Sequence, residues 1–165
     1  MPIRLEGSCR CGAVQFALDS HSPQPYQRCY CTVCRKTAGG GGYAINIMGK
    51  TAGMTVKGRD AIRIYHAEIC DDDGTNCRIS TGERNFCSKC ATALWMYHPE
   101  WPDFIYPFAS AIDTGLPEPP ELVHLFLRNK ASWAELKVGP NDKCFEKYPE
   151  QSIEDWHKSR RLWID

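Results

Sequence analysis

Cys29-Tyr30-Cys31-Thr32-Val33-Cys34 places three thiols in six residues and runs on through Arg35-Lys36-Thr37-Ala38 into four glycines, Gly39 to Gly42. Three soft ligands on one tight loop match what a tetrahedral zinc accepts from a single segment. A closed structural site uses four. The fourth ligand must come from elsewhere in the chain (Cys70, Cys77, Cys144 or a histidine), from water, or from a substrate, and each option implies a different protein.

Two further cysteine pairs lie outside this stretch, Cys9-Arg10-Cys11 and Cys87-Ser88-Lys89-Cys90. Each short spacing turns two sulfurs toward one point, and two such knuckles complete a tetrahedron. They are expected to form a four-thiolate structural zinc site, the alternative being reduced core cysteines. That pairing leaves Cys29, Cys31 and Cys34 as a separate group. If it stays open, it is the catalytic arrangement of three protein ligands on zinc. Three thiolates on Zn²⁺ leave a net charge near −1, a weak Lewis acid that suits a soft anionic fourth ligand such as the thiolate of a small thiol substrate. Zinc would lower that thiol's pKa from about 8.5 toward neutrality. Attack on a neighbouring carbonyl would then give a hemithioacetal, and the reverse reaction is that of a carbon–sulfur lyase.

Around these motifs the chain reads as many short strands. Val14, Phe16 and Leu18 alternate with Ala13, Gln15 and Ala17, after an opening turn at Gly7 and Ser8. Strands are expected at Tyr43–Met48, Met54–Lys57, Ile62–His66, Leu94–Tyr97 and Phe104–Ala111, with Gly49 and Gly53 as separators. Leu122 to Leu127 is apolar on both faces, as in a central strand. Ser152 to Trp163 is the one helix expected, with Ser152 and Asp155 as a capping box. Cys70 and Cys77 flank an acidic turn, as a surface pair or free thiols, and Cys144 reads as semi-buried. No repeat or linker divides the 165 residues, so one domain over 1–165 is expected.

Composition narrows the function classes. Apolar content is 42%, charged content 24% and the formal net charge zero, an ordinary globular balance without the basic surplus of a nucleic-acid binder. Lys158-Ser159-Arg160-Arg161 reads as a solvated helix face. No apolar run approaches the ~20 residues that span a bilayer, and Met1 to Glu6 has no apolar signal region. Ten cysteines without such a signal point to metal ligation in a reducing compartment, the cytoplasm, rather than to a disulfide framework. The glycine run is no phosphate loop, because no Gly-Lys-Ser/Thr follows.

The ordered cysteines resemble the glutathione-dependent formaldehyde-activating enzyme family, also called the centromere-protein-V-like family. The family pattern is seen as Gly7-Ser8-Cys9-Arg10-Cys11-Gly12, as Cys29 to Lys36, and as Phe86-Cys87-Ser88-Lys89-Cys90 with Leu94; Pro119-Pro120, His124 and Trp133 follow. The motifs cover about residues 5–135. The resemblance implies a mainly β, Mss4-like zinc-stabilised domain with short helices and a C-terminal helix. It implies one zinc on Cys9, Cys11, Cys87 and Cys90, and a second, exchangeable zinc on Cys29, Cys31 and Cys34. The reaction implied is addition of glutathione to formaldehyde to give S-hydroxymethylglutathione. Two positions depart from the pattern: Tyr30 stands where many members carry histidine, and Ala91 where many carry glycine.

Arg35 and Lys36 are candidates for receiving substrate carboxylates, and His66 and His98 for general acids; His124 reads as a core histidine. A different class of function, a non-enzymatic zinc-stabilised protein-interaction module, fits the same cysteines. A methionine sulfoxide reductase does not, since its Arg-x-Cys-x-Asn signature is missing.

Overall fold

Leu5, Gly7 and Cys9 are buried and alternate with exposed or half-buried neighbours, and so do Phe16, Leu18 and Ser20. The period of two makes these segments strands with one wet face. The computed structural model describes residues 1–165, in chain order β1 (Ile3–Ser8), β2 (Gln15–Ser20), β3 (Gln27–Cys29), α1 (Thr32–Ala38), β4 (Ala44–Ile45), β5 (Gly49–Lys50), β6 (Thr55–Lys57), β7 (Ile62–Tyr65), β8 (Glu68–Ile69), β9 (Arg78–Ile79), β10 (Glu83–Cys87), β11 (Ala93–Tyr97), β12 (Phe104–Pro107), β13 (Val123–Leu125), β14 (Lys143–Cys144) and α2 (Ile153–Ser159). The mainly β architecture with a C-terminal helix is the one expected.

The strands form three sheets and a separate β8–β9 hairpin. Their orders are β1-β2-β6, β5-β12-β11-β10-β7 and β14-β13-β3-β4. Two apolar cores lie among them. Leu5, Val14, Phe16, Leu18, Ile47, Leu94, Trp95 and Ile105 pack together with Cys9 and Cys87. Tyr26, Ala44, Phe108, Val123, Leu125 and Trp156 pack with Cys29 and Cys34. Each core therefore has cysteines of one cluster set into it.

β13 is buried throughout and runs parallel between β3 and β14, which is why its sequence is apolar on both faces. α2 begins at the expected cap, Ser152 Oγ accepting from Asp155 N at 3.0 Å. It stops at Ser159 rather than running on to Trp163: Arg161 adopts φ +58° and Leu162 N donates to His157 O, closing the last turn in a Schellman arrangement. Trp156 on this helix stacks on Tyr26 at 3.6 Å and lids the second core.

Several local expectations are corrected. Gly7 and Ser8 belong to β1 rather than to a turn; a Cβ on Gly7 would lie 2.3 Å from the Phe16 ring and 2.5 Å from Ala111 O, so close packing is what requires glycine there. Tyr43–Met48 forms only the two-residue β4 plus isolated bridges of Asn46 to Phe108 and Met48 to Ser22, and Gly49 starts β5 instead of separating strands. The strand expected over Phe104–Ala111 ends at Pro107 and gives way to a 3₁₀ turn at Ala109–Ala111. The central cysteine stretch is half helix, because α1 starts at Thr32. Cys70 and Cys77 are joined as a disulfide across the β8–β9 hairpin, so metal ligation does not account for every cysteine.

Candidate metal centres and active site

The β1–β2 turn and the β10–β11 turn each present two sulfurs. In the first, Cys9 N donates to Val14 O, Gly12 N to Cys9 O, and Val14 N reaches Cys9 Sγ at 3.2 Å. In the second, Cys87 N donates to Thr92 O and Ala91 N to Cys87 O, while Arg10 N binds Thr92 Oγ1 and so links the two turns. The four sulfurs of Cys9, Cys11, Cys87 and Cys90 lie within 4.8 Å of one another, with Cys9–Cys11 at 3.5 Å and Cys11–Cys87 at 3.8 Å. A tetrahedral zinc with Zn–S bonds of about 2.3 Å requires sulfur separations of about 3.8 Å. The donor set fits that ion. The Thr92 hydroxyl and backbone pull the Cys90 thiol down to about 5, toward the thiolate a metal needs.

Cys29 ends β3, Cys31 is the N-cap of α1, and Cys34 lies in its first turn. Cys31 Sγ accepts from Cys34 N at 3.3 Å, so sulfur does the capping that Ser or Asp usually does. The three sulfurs lie within 4.8 Å of one another, and no fourth cysteine, histidine or carboxylate joins them. Cys144 is exposed on β14, and Cys70 and Cys77 are bonded to each other. Donation from the Cys29 and Cys34 thiols, from Cys34 N and the field of Arg84 pull the Cys31 thiol down to about 2, while the Cys29 thiol, which must donate, is pushed up. Three sulfurs packed this way share protons that one dication can replace.

Arg84 belongs to no motif in the sequence. Both of its terminal nitrogens lie 3.7 Å from Cys34 Sγ. The signal lay in period-two alternation: on β10, Asn85 and Cys87 are buried toward the first core, so Arg84 faces the other way, toward the second cluster. One strand thus serves both centres.

A family model described as glutathione-dependent formaldehyde-activating enzyme matches residues 4–129. The chain belongs to that family. A Halomonas elongata protein described as a candidate glutathione-dependent formaldehyde-activating enzyme is 55% identical over 153 residues, 93% of this chain and 94% of the relative. A crystal structure of a Rhodobacter sphaeroides protein aligns over 68% of this chain and 91% of its own, with a TM-score of 0.50 at 22% identity, a likeness of fold. No helix is long and apolar enough to cross a membrane.

The two departures from the family pattern have different structural meanings. Ala91 adopts φ +61°, in the left-handed region where glycine is free of strain. Tyr30 is buried, 1% exposed, with its hydroxyl 3.4 Å from His124 Nδ1. His124 Nε2 in turn lies 3.2 Å from Asp142 Oδ2. Burial pushes the Asp142 carboxyl up, but N–H donors from Leu122 and Gly139 and the His124 ring outweigh it and hold the group below its ordinary range. His124 is thus a core histidine with both nitrogens partnered. This buried chain pins the backbone between Cys29 and Cys31.

The remaining candidates are dispersed. His66 Nδ1 is engaged with Gly82 O, and His98 Nδ1 accepts from Glu100 N; neither joins the cysteine clusters. Lys36 is exposed in α1, while Arg35, beside Cys34, keeps a buried Nε without a partner. Gly42, at φ +93°, lies under Ala134 and Trp133, where a Cβ would come within 2.7 Å of the alanine methyl. Gly39, where a Cβ would lie 2.4 Å from Tyr43 O, and Gly42 are therefore required by packing, while Gly40 has open space around it.

Proposed function

We propose that this chain joins glutathione to formaldehyde to give S-hydroxymethylglutathione, and runs the reverse cleavage, as one domain over residues 1–165. Cys29, Cys31 and Cys34 are assigned as the open catalytic zinc site, and Cys9, Cys11, Cys87 and Cys90 as the closed structural one. The observation that carries the reading is a cluster of three sulfurs without a fourth ligand, faced by a guanidinium, in a member of this family. When bound to three thiolates, zinc accepts a further sulfur and favours its deprotonated form.

The chemistry is addition. The sulfur lone pair of glutathione forms a C–S bond to the formaldehyde carbon, the carbonyl π pair moves to oxygen, and that oxygen takes up the proton the thiol lost. Nothing is oxidised or reduced. Arg84 keeps a positive charge beside an otherwise anionic cluster, which lets an anionic thiolate approach. Arg35, Lys36 and Arg84 supply guanidinium and ammonium groups suited to the carboxylates of glutathione. The many free thiols suit a reducing compartment, the cytoplasm.

Calorimetric titration of glutathione into zinc-loaded protein, against protein stripped of its weaker zinc, tests this. Zinc-dependent binding with proton release is expected, together with faster exchange between formaldehyde and S-hydroxymethylglutathione by NMR. Equal binding to both forms, or none, would leave a zinc-stabilised interaction module as the better account.

A further inference from the structure

Cys70 and Cys77 close a hairpin that the proposed chemistry does not use. β8 and β9 pair only Glu68 with Ile79 and Ile69 with Arg78, so positions 70 and 77 are the next facing pair. A two-residue ladder is marginal by itself. Within the loop, Asp71 N donates to Thr75 O, Gly74 N to Asp71 O, and Asn76 Nδ2 to Asp71 Oδ2. Every residue from Glu68 to Ile79 is exposed. A structural disulfide is normally shielded by the core it staples, whereas exposed ones are the labile kind. A shallow cleft lined by Cys70, Asp71, Asp72, Asp73 and Lys147 lies beside the bond.

The hairpin also touches something that matters. Its tip is anchored by Asp72, whose carboxylate pairs with both Arg128 and Lys147. Phe126 N donates to Lys147 O and Leu127 N to Phe145 O, so these two segments form one strap. Phe126 and Phe145 pack against the core that contains Cys29 and Cys34.

We propose that Cys70 and Cys77 are a redox-modification site, a dithiol–disulfide pair that exchanges with a low-molecular-weight thiol and its disulfide, and that its state sets how firmly Asp72 holds the strap beside Cys29 and Cys34. In the reducing direction a small thiolate attacks one sulfur, forming a mixed disulfide and releasing the other cysteine as a thiolate that takes a proton. A second small thiolate then attacks the mixed disulfide, releasing the second cysteine and the small-molecule disulfide. Two thiols are oxidised and one protein disulfide is reduced. Oxidation is the same sequence reversed. Reduction leaves the short ladder unstapled, and the Asp72 clamp loosens with it.

The test uses the full chain with both zinc sites loaded, equilibrated in glutathione buffers of stepped thiol-to-disulfide ratio, then quenched by alkylation and mapped residue by residue. Cys70 and Cys77 are expected to interconvert reversibly as a two-electron pair while the zinc-ligand cysteines stay protected. On reduction, amide exchange is expected to quicken at 68–79 and at 126–128 and 145–147, whereas a Cys70→Ser/Cys77→Ser variant in the same buffers, where glutathione can act only by binding at the zinc site, is expected to show no such quickening. Asp72→Asn in the oxidised protein is expected to reproduce the second effect without the first. A pair that stays oxidised in excess thiol, or reduced in excess disulfide, overturns the proposal. So does a third zinc bound on reduction, or a strap whose exchange responds neither to reduction nor to Asp72→Asn.

Discussion

Replacing Arg84 with methionine keeps most of the side chain's bulk and removes the one charge that faces the second sulfur cluster. At 3.7 Å from Cys34 Sγ, a unit charge pair interacts by about 4 kcal/mol at an effective dielectric of about 20 and about 1 kcal/mol in water. Arg84 is half-buried, so the loss lies between those bounds. Groups that support metal ligands are generally worth about 10- to 100-fold in metal affinity. Chelator competition on the two-zinc protein should therefore show the weaker zinc released at roughly 10- to 100-fold lower chelator concentration. The tighter zinc, on the opposite face of β10, serves as the internal control and should not move. Arg84→Lys should recover part of the affinity, keeping the charge without the fork. Unchanged affinity in the methionine variant, or equal loss at both sites, would refute the role given to Arg84.

Cys87→Ser should yield insoluble or molten protein, since a four-thiolate zinc contributes on the order of 10 kcal/mol to folding and Cys87 is fully buried in the first core; Cys34→Ser should keep the fold and lower zinc from about two to about one per chain, read by metal analysis. Ala91→Gly should raise stability: relief of a left-handed alanine gains about 1–2 kcal/mol, less about 0.4–1 for the freer unfolded chain. A melting temperature that falls would count against it. The depressed Asp142 carboxyl contributes stability that is complete above the unfolded carboxyl's pKa and is lost as pH falls through its lower folded value. Chemical denaturation of wild type and Asp142→Asn should thus differ by a constant amount near neutrality and converge in acid, whereas a pH-independent difference would reject the assignment.

The parts of the fold legible in the sequence were those with a local signature. Ser152 and Asp155 marked the start of α2, and the unbroken apolar run at 122–127 marked a strand covered on both faces. The grouping of seven cysteines followed from spacing alone, because a short knuckle can aim its sulfurs in few directions. What escaped had no such signature. α1 is capped by a cysteine sulfur, a residue type that propensity does not rank as a cap. Gly7 resembles a turn residue until Phe16 and Ala111, distant in sequence, are seen against it. Tyr30 stands where the family pattern has an imidazole, and only tertiary packing reveals that position 30 is buried. The clamp of Asp72 on Arg128 and Lys147 spans more than fifty residues and leaves no local trace.

The four-sulfur cluster unites turns whose cysteines stand 76 residues apart, and this has a consequence for how the chain is born. At about 5–20 residues per second of synthesis, Cys9 and Cys11 emerge several seconds before Cys87. Cys29, Cys31 and Cys34 appear in between. For that interval the five sulfurs already made are enough to assemble a complete but wrong tetrahedron. Zinc captured then must be surrendered before β10 can dock, so protein synthesised with free zinc present should reach the native state more slowly than protein to which zinc is supplied once the chain is complete.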